Sequence, residues 1–185
     1  MTTNNAKQIT INNAKQITKN NAKQITMNNA KQITTNNAKQ MTKKMKVLIL
    51  CTGNSCRSQM AHGFLQSFES RITVCSAGTQ ASGKLNPKAV AAMLDAGIDI
   101  SNHTSDSVEK YLKDEWDYVI TVCGGANEEC PAFFGKVKNR LHIGFDDPSH
   151  VTGTDEYIWS EFIRVRDEIK DGFYKFYLEQ IKPQV

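Results

Sequence analysis

From residue 46 onward, apolar positions alternate between two patterns: short unbroken runs and stretches with a step of three or four. Lys46-Val-Leu-Ile-Leu50 is a short continuous run, the pattern of a strand buried on both faces. A turn containing Gly53 follows. A helix is then predicted from about Ser58 to Glu69, where Met60, Phe64 and Phe68 recur at four-residue spacing beside Ala61 and Leu65. Ile72–Cys75 reads as a second strand, closed by Ser76-Ala-Gly78. Thr79 to Asn86 is loop, and a helix follows over Pro87–Ala96. Pro87 suits its first position and Gly97 stops it. Ile98 and Ile100 bracket a short extended piece, and Ser107–Leu112 forms a further helix. Tyr118–Cys123 is a third strand and Arg140–Phe145 a fourth. Asp146-Asp-Pro148 opens a loop, and the chain closes on a helix from Glu156 to about Ile181. That helix carries Ile158, Phe162, Val165, Ile169, Phe173 and Phe176 on one stripe. Strands alternating with helices predict an α/β fold with a parallel four-stranded sheet covered by helices on both faces. In such a sheet a ligand sits beyond the carboxyl ends of the strands.

The first part of the chain follows neither pattern. Residues 4–43 are five copies of an eight-residue unit, Asn-Asn-Ala-Lys-Gln-Ile/Met-Thr plus one variable position, beginning at Asn4, Asn12, Asn20, Asn28 and Asn36. A period of eight fits neither one helix face nor a solenoid, and the unit offers too little apolar surface to offset the entropy of ordering. Residues 1–44 are therefore expected to be a disordered tail, and residues 45–185 one compact domain. Charge divides at the same place. Residues 1–46 carry nine Lys and no acid, whereas the rest carries 14 Lys and Arg against all 19 acids. The alternative for the tail, a basic arm for nucleic acid or membrane, is disfavoured because its Lys are spaced and no aromatics interleave. Neither partner is expected.

No apolar run approaches the roughly 18 residues that span a bilayer, and no secretion signal is visible. A cytoplasmic protein is expected, and its five Cys then suit redox or catalytic thiols better than a structural disulfide framework.

Chemistry concentrates where the first strand ends, in Cys51-Thr-Gly-Asn-Ser-Cys-Arg57-Ser58. A loop this short between a strand and a helix turns successive backbone N–H groups inward and makes a nest for an anion, to which the helix adds its positive end. Thr52, Gly53, Asn54, Ser55, Cys56, Arg57 and Ser58 are the expected oxyanion-binding residues. Gly53 is expected to relieve an unusual φ. Arg57 can grip two oxygens of a tetrahedral anion, and the positive field is expected to lower the pKa of Cys51 beneath it. Asn54 can pin the loop, and Ser58 can bond the Cys51 sulfur. No nucleotide-triphosphate loop is present, and no cofactor or metal is expected. Cys56 is read as structural or tuning, and Cys75 as a small buried hydrophobe.

The segments Cys51–Met60, Ser76-Ala-Gly78, Asn86–Ala89, Ile98–Ser105 and Gly144–Pro148 resemble the thioredoxin-coupled arsenate reductases, which share their fold with low-molecular-weight protein tyrosine phosphatases. The resemblance covers about residues 45–180. The loop alone does not separate reductase from phosphatase. A reductase must also supply two electrons, so it needs a second Cys near the first. Cys123 ends a strand as Cys51 does, and both are expected at one sheet edge. Cys130 lies seven residues later, a segment that spans about 24 Å when extended, whereas a disulfide wants Cα atoms about 5.5 Å apart, so it must fold back.

The resemblance implies that Cys51 attacks arsenate and Cys123 attacks Cys51 to release arsenite. Cys130 then draws the disulfide out to Cys123–Cys130 for thioredoxin to reduce. It implies Asp147 as the proton-handling catalytic residue, with Asp146 structural, and a monomer. Two rivals stand. One is a tyrosine phosphatase, against which Asp147-Pro-Ser-His150 lacks the Tyr that follows Asp-Pro in many of them. The other is a non-enzymatic thiol sensor, in which Arg57 and Asp147 are superfluous.

Overall fold

The computed structural model describes residues 24–27, 44–124 and 135–185. Four strands form one sheet: β1 (Lys46–Cys51), β2 (Thr73–Gly78), β3 (Trp116–Thr121) and β4 (Val137–His142). Their order is β2-β1-β3-β4 and every pairing is parallel, as expected. The chain leaves β1 for β2 on one side and returns to β3 on the other, so a topological switch point lies at the carboxyl end of β1. Registers Cys51↔Gly78 and Leu50↔Thr121 bring the carboxyl ends of β2, β1 and β3 level.

Alternation along β1 divides the core. Val47, Ile49 and Cys51 face one cluster, and Leu48 and Leu50 the other. The first face is covered by three helices: α1 (Arg57–Phe68), α2 (Pro87–Asp95) and α3 (Asp155–Phe176). On α1, Met60, Ala61, Phe64 and Leu65 are buried. On α3, Phe162, Val165, Ile169, Phe173 and Phe176 form the buried stripe. The opposite face is covered by a short 3-10 helix, Val108–Tyr111, whose Val108 packs with Trp116, Leu112 and Tyr111. Gly97, at φ 79°, ends α2 as expected; it directs its own N–H to Leu94 and that of Ile98 to Met93.

Several boundaries differ from the pattern. β3 begins two residues earlier than expected and β4 three, at Val137, while β2 runs on to Gly78. β4 is an edge strand exposed along most of its length, so Lys138, Asn139 and Arg140 carry no apolar rhythm to read. The closing helix widens at its end into a π-turn over Tyr177–Ile181 and then tightens into a 3-10 turn at Lys182–Gln184. Within the repeat, residues 24–27 form an exposed helical turn where disorder is expected, with Ile25 and Met27 largely in solvent. The other residues of that tail lie outside the described ones. No helix among the described residues is long and apolar enough to cross a membrane.

Candidate active site

The loop after β1 is held by its carbonyls. Backbone N–H groups of Thr79, Gln80, Ser82 and Asn86 bond the carbonyls of Cys51, Thr52, Gly53 and Ser55 at 2.9–3.1 Å. The Asn54 carbonyl accepts from Gln59 Nε2 at 3.0 Å, and that of Cys56 from the first turn of α1. With the carbonyls engaged around its rim, the loop is left to present N–H groups inward, the arrangement that binds an anion. Gly78 makes this approach possible: a Cβ there would stand 2.5 Å from the Thr52 carbonyl oxygen.

The unusual backbone falls on Asn54, at φ 47°, rather than on Gly53 as expected. A non-glycine residue in this region costs about 1 kcal/mol, which the bonds of Asn54 offset. Its Oδ1 accepts from the Asp106 N–H at 2.8 Å, and its Nδ2 donates to Ser58 Oγ at 3.0 Å. This conformation aims the Asn54 N–H at Cys51 Sγ, 3.0 Å away, while Ser58 Oγ lies 2.8 Å from the same sulfur.

Cys51 opens into a cavity of about 490 Å³ lined also by Thr52, Gly53, Ser55, Cys56, Arg57, Cys123, Gly124, Asp147, Ser149 and His150. The Arg57 guanidinium bonds the Phe145 carbonyl at 3.1 Å and forms an ion pair with Asp147. Asp147 also accepts from the Ser149 N–H and hydroxyl, at 3.0 and 2.6 Å. Asp146 instead points to Arg164 on α3, at 3.2 Å. Cys123, two residues beyond β3, lies 3.5 Å from Thr52 Oγ1 and stands at the same sheet edge as Cys51. Cys130 lies outside the described residues.

The match to a family model carries the identification. Residues 46–185 match the model described as low molecular weight phosphotyrosine protein phosphatase. The chain belongs to this phosphatase family. It is similar to an arsenate reductase of Halalkalibacterium halodurans, 51% identical over 127 residues, which are 68% of this chain and 90% of that one. Its fold matches a solved arsenate reductase in oxidized state, with TM-score 0.62 and 31% identity over 72% of this chain and 97% of the other. An arsenate reductase in the phosphate binding state matches with TM-score 0.56, also at 31% identity, over 73% and 98%.

Within this phosphatase-family site, the balance at Cys51 differs from expectation. Burial pushes its thiol up, while the Ser58 hydroxyl and the Asn54 N–H pull it down. The expected lowering by Arg57 is therefore corrected: that guanidinium is committed to Asp147, and desolvation of the sulfur dominates. Burial and the nearby Asp147 carboxylate also push Cys56 up, which keeps it a thiol. Cys75 is only half-buried, packed against the second core cluster, and its thiol is pushed up by burial. Gln59, which the apolar pattern of the helix does not single out, is fully buried and bonds the Asn54 carbonyl of the loop. A polar residue on the buried side of an otherwise amphipathic helix was the available signal.

Proposed function

We propose that this protein reduces arsenate to arsenite by thiol chemistry. The supporting observation is that Cys51, its sulfur held by the Asn54 N–H, and Cys123 line the same cavity. The names of its relatives agree with that chemistry. Arsenate occupies the loop, its oxygens on the inward N–H groups and on Arg57. Its arrival gives Arg57 a second anionic partner, and the Cys51 thiol gives up its proton toward the arsenate oxygen that will leave. The thiolate attacks arsenic and displaces one oxygen as water, with Asp147 placed to handle that proton. Cys123 then attacks the Cys51 sulfur. The S–S bond forms, the S–As bond breaks, and its electron pair stays on arsenic, which leaves as arsenite. Cys130 attacks Cys123, freeing Cys51 and moving the disulfide to Cys123–Cys130, where the dithiol of thioredoxin reduces it.

The catalytic unit in this reading is residues 45–185, working as a monomer in the cytoplasm, with the repeat outside it. Among the described residues no Phe, Tyr or Trp side chain lines the cavity, which favours a bare oxyanion over a phosphotyrosine ring. Weak hydrolysis of small aryl phosphates is still expected, since it needs only the same thiolate and nest. The test is arsenate-dependent NADPH oxidation in the presence of thioredoxin and its reductase. Sustained turnover with arsenate supports the reading. Phosphate-ester hydrolysis with no arsenate turnover would assign the site to a phosphatase, and neither activity would leave a thiol sensor.

A further inference from the structure

Behind the oxyanion loop lies a partly buried polar cluster of which no member lines the cavity. Gln59, fully buried on α1, donates through Nε2 to the Asn54 carbonyl at 3.0 Å and to the Thr104 carbonyl at 2.9 Å. Its Oε1 lies 3.0 Å from His103 Nδ1. Because both amide N–H groups go to carbonyls, Oε1 has to be the acceptor, and His103 Nδ1 therefore carries a hydrogen. The His103 ring is stacked on that of His62, centroids 4.3 Å apart, and His62 Nδ1 lies 3.2 Å from Ser76 Oγ on β2. A continuous path thus runs from β2 through two imidazoles and one amide to Asn54, the residue whose left-handed backbone aims an N–H at the Cys51 sulfur.

We propose that Gln59, held by the His103–His62 stack, is a positioning residue for Cys51: it grips the Asn54 carbonyl so that Asn54 stays in the conformation that serves the sulfur. The proposal rests on Cys51 as the nucleophile but not on arsenate as the substrate. Gln59 has three partners at fixed distances, and a side chain without donors leaves the Asn54 carbonyl unpaired in a buried place. The strained residue can then relax, and the bond from its N–H to sulfur lengthens. His103 acts one step further out, by fixing the face that Gln59 presents.

The test uses the full chain and reads the Cys51 thiolate directly, by ultraviolet thiolate absorbance against pH, as the difference from Cys51→Ser. Gln59→Leu is expected to raise the midpoint by about one pH unit and to lower kcat/KM about tenfold for an aryl phosphate, whatever the result with arsenate. His103→Phe, which keeps a ring on His62 but loses the donor, should move both readouts the same way. His103→Asn, which restores a donor, should recover most of the loss, and this pair decides the matter if Gln59→Leu fails to fold. A melting temperature that falls while the midpoint and kcat/KM stay within twofold of the parent would overturn the proposal, as would equal behaviour of His103→Phe and His103→Asn. Shifted midpoints in a protein that never reduces arsenate would uphold the positioning role and refute the substrate.

Discussion

Two cysteines stand at the carboxyl ends of adjacent strands, and their surroundings differ. Cys51 ends β1 inside a loop whose carbonyls are tied to four backbone N–H groups and to Gln59, and its sulfur touches Ser58 and the Asn54 N–H. Cys123 sits beyond β3 with one hydrogen-bond contact among the described residues, the Thr52 hydroxyl at 3.5 Å. The glycines repeat the contrast. Gly78 presses on the Thr52 carbonyl, whereas a Cβ on Gly124 would meet nothing among the described residues within 4 Å. Binding an anion and aiming a nucleophile reward rigidity, because donors fixed in advance need no reorganisation. Passing a disulfide from one partner to the next requires room to move. In the proposed relay the two neighbouring strand ends divide these tasks between them.

The largest expected effect strikes the rigid side. Cys51→Ser should abolish both arsenate reduction and aryl-phosphate hydrolysis, on the order of a thousandfold or more in kcat, as assayed side by side. Cys123→Ser and Cys130→Ser should separate the two activities. Each should stop multiple turnovers with thioredoxin yet keep phosphate-ester hydrolysis within about threefold, because hydrolysis needs no second thiol. Peptide mapping of Cys130→Ser after one equivalent of arsenate should find Cys51 joined to Cys123. The glycines give a direct structural contrast. Gly78→Ala should cost roughly 2–3 kcal/mol in denaturant unfolding, since a Cβ 2.5 Å from a backbone oxygen forces the loop away. Gly124→Ala should stay within about 0.5 kcal/mol.

A smaller effect depends on pH. Burial and the neighbouring His103 lower His62 from 6.5 to about 4, and burial also lowers His103, with Asp99 opposing it in part. A depressed histidine is held neutral by the fold. Its contribution is therefore complete above about pH 6.5 and is lost as pH falls toward 4, while the unfolded chain takes up the proton. Thermal melts should show this decline in the parent, and His62→Phe should flatten it. The smallest effect belongs to the repeat. A chain starting at Met45 should keep its stability within a few tenths of a kcal/mol and its activity unchanged. A loss of several degrees in Tm would mean that the repeat packs on the domain.

The buried parts of this architecture are legible in the sequence, since β1 and the stripe of α3 announce themselves by apolar rhythm. The Cys-to-Arg spacing located the loop, because a short strand-to-helix turn leaves the backbone little choice. Side-chain polarity hid the rest. β4 lies at an edge and carries Lys138, Asn139 and Arg140 in solvent, so its start could not be read. The general rule for glycine points to Gly53 as the strained residue, yet the local bonds of Asn54 select Asn54. The sequence carries no signal of what Gln59 bonds, because its partners, Asn54, Thr104 and His103, come together only in three dimensions.

The most direct test of the central claim is a single turnover without any external reductant. Fully reduced protein is mixed with excess arsenate, and released arsenite and remaining free thiols are counted. One arsenite per chain with the loss of two of the five thiols, and neither change in Cys51→Ser, is the predicted result. Absence of arsenite, or arsenite release undiminished in Cys51→Ser, would contradict the account.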